Sequence, residues 1–213
     1  MIVEKKEDAF RLERIEVAPF GTNAYIVVCE RTGESVLVDA PGDADEILSR
    51  LSGTKPVSIL ISHRHEDHTS ALQKLKEELN IPVAAHVEDA EHIPVETAML
   101  LDEGNIISFG NVTMEILHTP GHTPGSICFL IADVLLTGDT IFPGGPGKTD
   151  TPDDFRLIIQ TLKKKIFILP DEVKIYPGHG DPTTVKKAKE EFAIFSSKPH
   201  DPNLCGNVLW RED

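Results

Sequence analysis

The sequence predicts an α/β sandwich with outer helices, and three observations carry that expectation. Short β-like runs fall into two sets, segments with apolar residues at helical spacing follow each set, and Gly/Pro turns separate them. Residues 12–17 and 24–29 flank Phe20-Gly21-Thr22-Asn23, and residues 35–39 follow a Thr32-Gly33-Glu34 turn. Together they read as an antiparallel meander. Residues 57–62 form an apolar strand that runs straight into a histidine-rich stretch. Ala71, Leu72, Leu75 and Leu79 then recur at helical spacing, so the local pattern is strand, loop, helix. Residues 81–85, 112–117, 126–131 and 134–137 read as further strands, the last two joined by a tight Ala132-Asp133 turn.

A helix is predicted to start at Thr151-Pro152-Asp153-Asp154. A threonine cap, a proline at the first helical position and two acids suit the unpaired amides and positive end of a helix. Phe155, Ile158, Ile159 and Leu162 form its buried stripe. Asp181-Pro182-Thr183-Thr184 predicts a second start by the same logic, with Val185, Ala188, Phe192 and Phe195 inward and Lys186, Lys187, Lys189 and Glu190 on a solvated face.

The 213 residues are expected to make one domain, residues 1–213, with a core over about 10–195 and a tail over 196–213. An apolar fraction of 40% with 26% charged residues argues against disorder. No apolar run approaches the ~18 residues of a transmembrane helix, and the first eight residues lack the features of a secretory signal, so the cytoplasm is the expected compartment. With 21 Lys+Arg against 35 Asp+Glu the net charge is −14, which repels nucleic-acid phosphates and anionic membranes. Cys29, Cys128 and Cys205 form no CxxC pair, which argues against a disulfide framework or a thiolate zinc site.

His63-Arg64-His65-Glu66-Asp67-His68 puts three imidazoles and two acids within six residues at the end of an apolar strand. Imidazole nitrogen and carboxylate oxygen both ligate zinc at about 2.0–2.2 Å, and alternation along a short loop lets one segment serve two neighbouring metals. A solvated polar loop is the alternative. Three further elements argue against it, each a ligand type beside glycine after a β-like segment: Pro120-Gly121-His122-Thr123, Thr137-Gly138-Asp139-Thr140 and Pro177-Gly178-His179-Gly180. A lone Gly-Asp is ordinarily a turn and a lone Gly-His a surface loop. Five histidines and two aspartates together point to a pair of adjacent metal positions.

These motifs, in this order over roughly residues 23–184, resemble the metallo-β-lactamase superfamily and within it the glyoxalase II-like hydrolases. The resemblance implies a four-layer αββα sandwich with metals at one edge. It also implies that His63, His65 and His122 hold the first metal, that Asp67, His68 and His179 hold the second, and that Asp139 bridges them. Little more than one helix and a tail follow His179, so the likeness is to the short members, which carry a stretch like Gly144-Gly145-Pro146-Gly147-Lys148-Thr149-Asp150.

The function expected on that basis is hydrolysis of a small anionic thioester of the S-lactoylglutathione type through a metal-bound hydroxide. Asp67 would orient that hydroxide, and the cofactors would be two divalent ions, zinc first, with iron or manganese as substitutes. A mononuclear-iron persulfide dioxygenase, whose relatives share Gly-[Arg/Lys]-Thr-Asp, and a lactonase are the alternatives. Lys148 is a candidate for binding a substrate carboxylate, against its reading as a solvated lysine. His118 is a candidate supporting residue near the metals, whereas His86, His92 and His200 are expected on the surface or in loops. The Pro- and Gly-rich tail is expected to be irregular, with Trp210 packing it down.

Overall fold

A computed structural model describes residues 10–210; the amino-terminal stretch considered for a signal lies outside the described residues. The first sheet holds β1 (Phe10–Val17), β2 (Thr22–Cys29), β3 (Glu34–Val38), β4 (Lys55–Leu60), β5 (Val83–His86) and β6 (Met99–Leu101) in that spatial order. β1, β2 and β3 pair antiparallel as the meander predicts, and β3 to β6 run parallel. Parallel neighbours need crossovers, and these contain α1 (Ala44–Leu51), α2 (Glu66–Thr69), α3 (Leu72–Leu79) and α4 (Val87–Ala90).

The second sheet is built from β7 (Ile106–Phe109), β8 (Val112–His118), β9 (Ile127–Ile131) and β10 (Val134–Gly138). A small ribbon of β11 (Ile141–Phe142) and β12 (Gly145–Pro146) follows, then α5 (Pro152–Thr161), which runs on into a π-helical turn at Leu162–Ile166. β13 (Lys174–Pro177) joins β10 in parallel, β14 (Thr183–Thr184) closes the sheet, and α6 (Val185–Ser196) covers it.

Side-chain alternation along β2 explains the layering. Ala24, Ile26 and Val28 face α1 and α3 in one core, while Tyr25, Val27 and Cys29 face the second sheet in another that includes Met114, Ile116, Phe129 and Leu136. A strand covered on both faces reads as continuously apolar rather than alternating. A third core sets Leu117, Cys128 and Leu135 against Phe155, Ile158, Leu162, Val185 and Trp210. Three cores between four layers make the αββα sandwich.

Thr151 caps α5 in a reciprocal capping box with Asp154, as the sequence predicts. The second predicted helix start is displaced. Thr183 and Thr184 pair with Lys174 and Ile175 as a short strand, and Thr184 is the cap, its hydroxyl accepting from the Lys187 amide. Asp181 and Pro182 therefore precede the helix, because edge pairing claims the residues expected in its first turn. His86 also departs from expectation. It is 2% exposed at the end of β5 and caps α4 through Nδ1. The expected tail is irregular but packed, with Trp210 3% exposed beside Phe167, Phe192 and Phe195.

Candidate metal centre

The strand ends deliver the predicted ligands to one edge of the sandwich. After β4 the chain carries His63 and His65 in a loop and Asp67 and His68 in the short α2; His122 follows β8, Asp139 follows β10 and His179 follows β13. Ligand atoms of His63, His65 and His122 lie within 4.8 Å of one another, as do those of Asp67, His68 and His179, and those of His63, His68 and Asp139. Asp139 sits between the sets, its carboxylate 3.2 Å from His68 Nε2, 3.6 Å from His179 Nε2 and 3.7 Å from His122 Nε2. All seven residues are thus brought together.

Whether the set suits a cation can be read from its protons. His122 Nδ1 donates to the Lys148 carbonyl oxygen at 2.8 Å, and His68 Nδ1 donates to Asp39 Oδ2 at 2.7 Å. Ser62 Oγ donates to the same carboxylate oxygen at 2.7 Å, so at 3.0 Å it accepts from His63 Nδ1. Three imidazoles therefore commit Nδ1 as a donor and turn Nε2 inward, where it is a ligand atom once the ring is neutral. The Nε2 atoms of His63 and His122 are 3.2 Å apart, close to the roughly 3.3 Å chord of two nitrogens about 2.05 Å from a tetrahedral zinc. His68 Nε2 and Asp139 Oδ1 face each other, buried and 3.2 Å apart, without a well-formed hydrogen bond, which is costly unless something else satisfies them. The donors fit one or two divalent cations.

Without a cation the electrostatics are tense. Burial, then the neighbouring imidazoles, push His63 well below the ordinary histidine range; burial, then His122, lower His65. Burial also opposes charge on His68, but Asp39 and Asp139 outweigh it and lift its pKa to about 10. The hydrogen bond from His179 chiefly holds Asp67 at about 2, and the same contact raises His179. Burial opposes ionisation of Asp139, yet His68 and the other imidazoles bring it below the usual carboxylate value.

Glycine is required where the ligands crowd. A Cβ on Gly178 would meet Asp139 Oδ1 and His68 Cε1, and one on Gly147 would meet the Asp139 carbonyl oxygen. Gly121 answers a different need, since its Cβ would strike Ile158 of α5.

Several supporting residues escape a reading by motif. Asp39, at φ 62°, bonds the Ser62 amide and hydroxyl as well as His68; the sequence signal is only an acid ending a strand before Ala-Pro-Gly. Asp89 accepts from the Arg64 and Gly125 amides at 3.0 Å and from the Thr123 hydroxyl at 2.7 Å, tying the two ligand loops together. Asn23 and Tyr25 hold the His179 loop through the Pro177 carbonyl oxygen at 2.9 and 2.6 Å.

Lys148 contributes its main chain to the site. Its side chain is 60% exposed, with Nζ 3.8 Å from Asp150. His118 donates through Nε2 to the Pro124 carbonyl oxygen and stacks on His86, centroids 3.8 Å apart and 15° from parallel. Asp102 completes with them a fourth grouping within 4.8 Å. Ring nitrogens in stacked, near-parallel planes cannot aim their in-plane lone pairs at one ion, so this grouping is not a ligand set as it stands.

A fold of this kind with histidines and aspartates gathered at the strand ends defines a metallohydrolase class. The chain belongs to the metallo-beta-lactamase superfamily, whose family model matches residues 17–179. It is 30% identical over 210 residues to hydroxyacylglutathione hydrolase GloC of Haemophilus influenzae, covering 88% of this chain and 99% of that protein. Among solved structures it resembles ETHE1 from Myxococcus xanthus (TM-score 0.77, 27% identity, 90% of this chain and 86% of that one). It also resembles TTHA1623 in a di-iron-bound form (TM-score 0.72, 28% identity, 83% of this chain and 96% of that one). Among the described residues no helix is long and apolar enough to cross a membrane.

Proposed function

We propose that this metallohydrolase cleaves a small anionic thioester of the S-lactoylglutathione type, with His63, His65 and His122 holding one divalent ion, Asp67, His68 and His179 a second, and Asp139 contacting both. The carrying observation is the pair of three-ligand clusters with Asp139 between them. When bound, such ions supply Lewis acidity that activates water and polarises a carbonyl. Asp67 is ionised at neutral pH, so it accepts a hydrogen bond from the attacking water and orients it rather than acting as an acid. A thiol of pKa near 8.5 leaves as thiolate without strong acid assistance, which suits a cluster whose carboxylates are both held ionised. The hydrolase name of the Haemophilus influenzae relative supports the thioester. Zinc is the first choice of metal; the di-iron form of a similar structure supports iron as an alternative.

A second reading, a mononuclear-iron persulfide dioxygenase, is favoured by His63–His68–Asp139 and Asp67–His68–His179, each offering two imidazoles and one carboxylate. Metal content, thioester cleavage and oxygen uptake measured on the same preparation separate the two. Cleavage by protein with two ions per chain supports the hydrolase. Oxygen uptake with persulfide and one iron per chain overturns it.

A further inference from the structure

The last described segment is stitched to the loop that follows Asp139. Thr149 and Gly206 exchange backbone hydrogen bonds of 3.2 and 2.8 Å, and the Trp210 amide donates to the Gly144 carbonyl oxygen at 2.7 Å. Gly145 accepts no side chain, because a Cβ there would run into the Val208 carbonyl oxygen. With Gly206 paired at one end and the Trp210 ring 5.2 Å from Phe192 at the other, residues 207–209 are held in place.

Between this strap and the loop lies a groove of about 240 Å³ lined by Phe142, Pro143, Lys148, Asn207, Val208 and Leu209. It adjoins the metal-ligand cluster on two sides: the Phe142 ring is 6.2 Å from the His179 ring, and the Lys148 carbonyl receives the His122 proton. Complete small-molecule sites usually span about 300–1,000 Å³, so the groove suits part of a substrate whose reacting bond lies over the metals. Its walls are apolar at Phe142, Pro143, Val208 and Leu209, with one cation and one amide. Leu209 stands 70% exposed.

We propose that residues 207–209 form the outer wall of the substrate groove, with Leu209 as a specificity residue. The groove takes the larger half of the thioester, a thiol with an apolar or amide-bearing stem ending in a carboxylate. The proposal rests on the thioester reading above. Leu209 packs on the stem, Asn207 meets its amide, and Lys148 faces its charge. Because Leu209 and Asn207 touch substrate away from the reacting bond, they act on binding more than on the chemical step.

The test compares two thioesters with the same acyl group, one of glutathione and one of 2-mercaptoethanol, which is too short to reach along the groove. Leu209→Asp, at an exposed position, should raise KM for the glutathione ester at least fivefold with kcat within twofold, and leave the short ester unchanged. Leu209→Lys should raise it less. Calorimetry with S-hexylglutathione, a thioether that cannot be hydrolysed, should show the same order of weakening. Equal changes for both esters, or none for either, overturn the groove assignment while leaving the hydrolase intact. Wild-type protein that binds the thioether, weakened by Leu209→Asp, but cleaves neither ester retains the groove and loses the proposed activity. Failure of wild-type protein to bind the thioether or cleave the glutathione ester overturns the occupant named here.

Discussion

Asp39 receives the Nδ1 proton of His68 in a 2.7 Å hydrogen bond and so leaves His68 Nε2 facing Asp139. Through Ser62 the same carboxylate fixes His63, so one buried acid orients an imidazole in each ligand cluster.

Asp39→Asn tests that role with little change of volume, and asparagine accepts the left-handed backbone found there. An amide donor facing Nδ1 favours the tautomer protonated on Nε2, which cannot ligate. Metal affinity should fall about 10- to 100-fold, with the fold retained by circular dichroism. Unchanged metal content after dialysis against a weak chelator would count against the orienting role.

The metal-free protein should lose stability as pH rises. The folded-state pKa of His68, about 10, lies above its ordinary value of 6.5. Its contribution is therefore complete below 6.5 and disappears as pH climbs through 10. Metal uptake at neutral pH should displace that proton. Denaturant melts of metal-free protein at pH 6, 8 and 10, with proton release on zinc addition measured in two buffers of different ionisation enthalpy, check both signs.

The ligand sets should separate by mutation. His179 is partly exposed, so His179→Ala removes a ligand without opening a core. It should release one ion first and leave the cluster of His63, His65 and His122 loaded, while Asp139→Ala should weaken both. Mass spectrometry under native conditions reads the ions directly; simultaneous loss of both from the His179 variant contradicts the division.

Lys148→Ala removes an exposed ammonium but keeps the carbonyl that holds His122. An exposed charge contact is worth no more than about 1 kcal/mol, so KM for an anionic thioester should rise by up to about fivefold with kcat unchanged. A neutral thioester should not respond. Equal losses on both would assign Lys148 to the loop's structure.

Trp210 should anchor the strap measurably. Truncating a buried tryptophan to alanine costs about 3–5 kcal/mol, whereas Trp210→Phe keeps most of the packing and removes an indole Nε1 that lacks a partner. Urea melts should show a large loss for alanine and about 1 kcal/mol or less for phenylalanine.

The clustering of the candidate ligands was legible because metal chemistry restricts such residues to few side-chain types and strand ends restrict their spacing. The sandwich was legible from strands that alternate or run apolar according to how many faces are covered. Asp39 and Asp89 were not, because a buried acid that orients other residues has no sequence period and its partners lie 23 to 36 residues away. Nor was the stacking of His86 on His118, which joins strands from different sheets. The start of α6 was misplaced for a related reason: Asp-Pro-Thr-Thr satisfies local capping chemistry at two positions, and pairing with β13 decides between them. The sequence also left α1, β6 and β7 unmarked, the strands being three and four residues long.

The proposed ligands come from both sheets, four from the loop and short helix after β4 and three from the ends of second-sheet strands. A cation held there is a clasp between two halves of the chain, added to the apolar packing and to the hydrogen bonds that Asn23, Tyr25 and Asp89 already make across that edge. Its binding free energy then adds to the cohesion of the sandwich at that edge, growing with the logarithm of free metal concentration. Resistance of the protein to unfolding would then become a readout of metal supply.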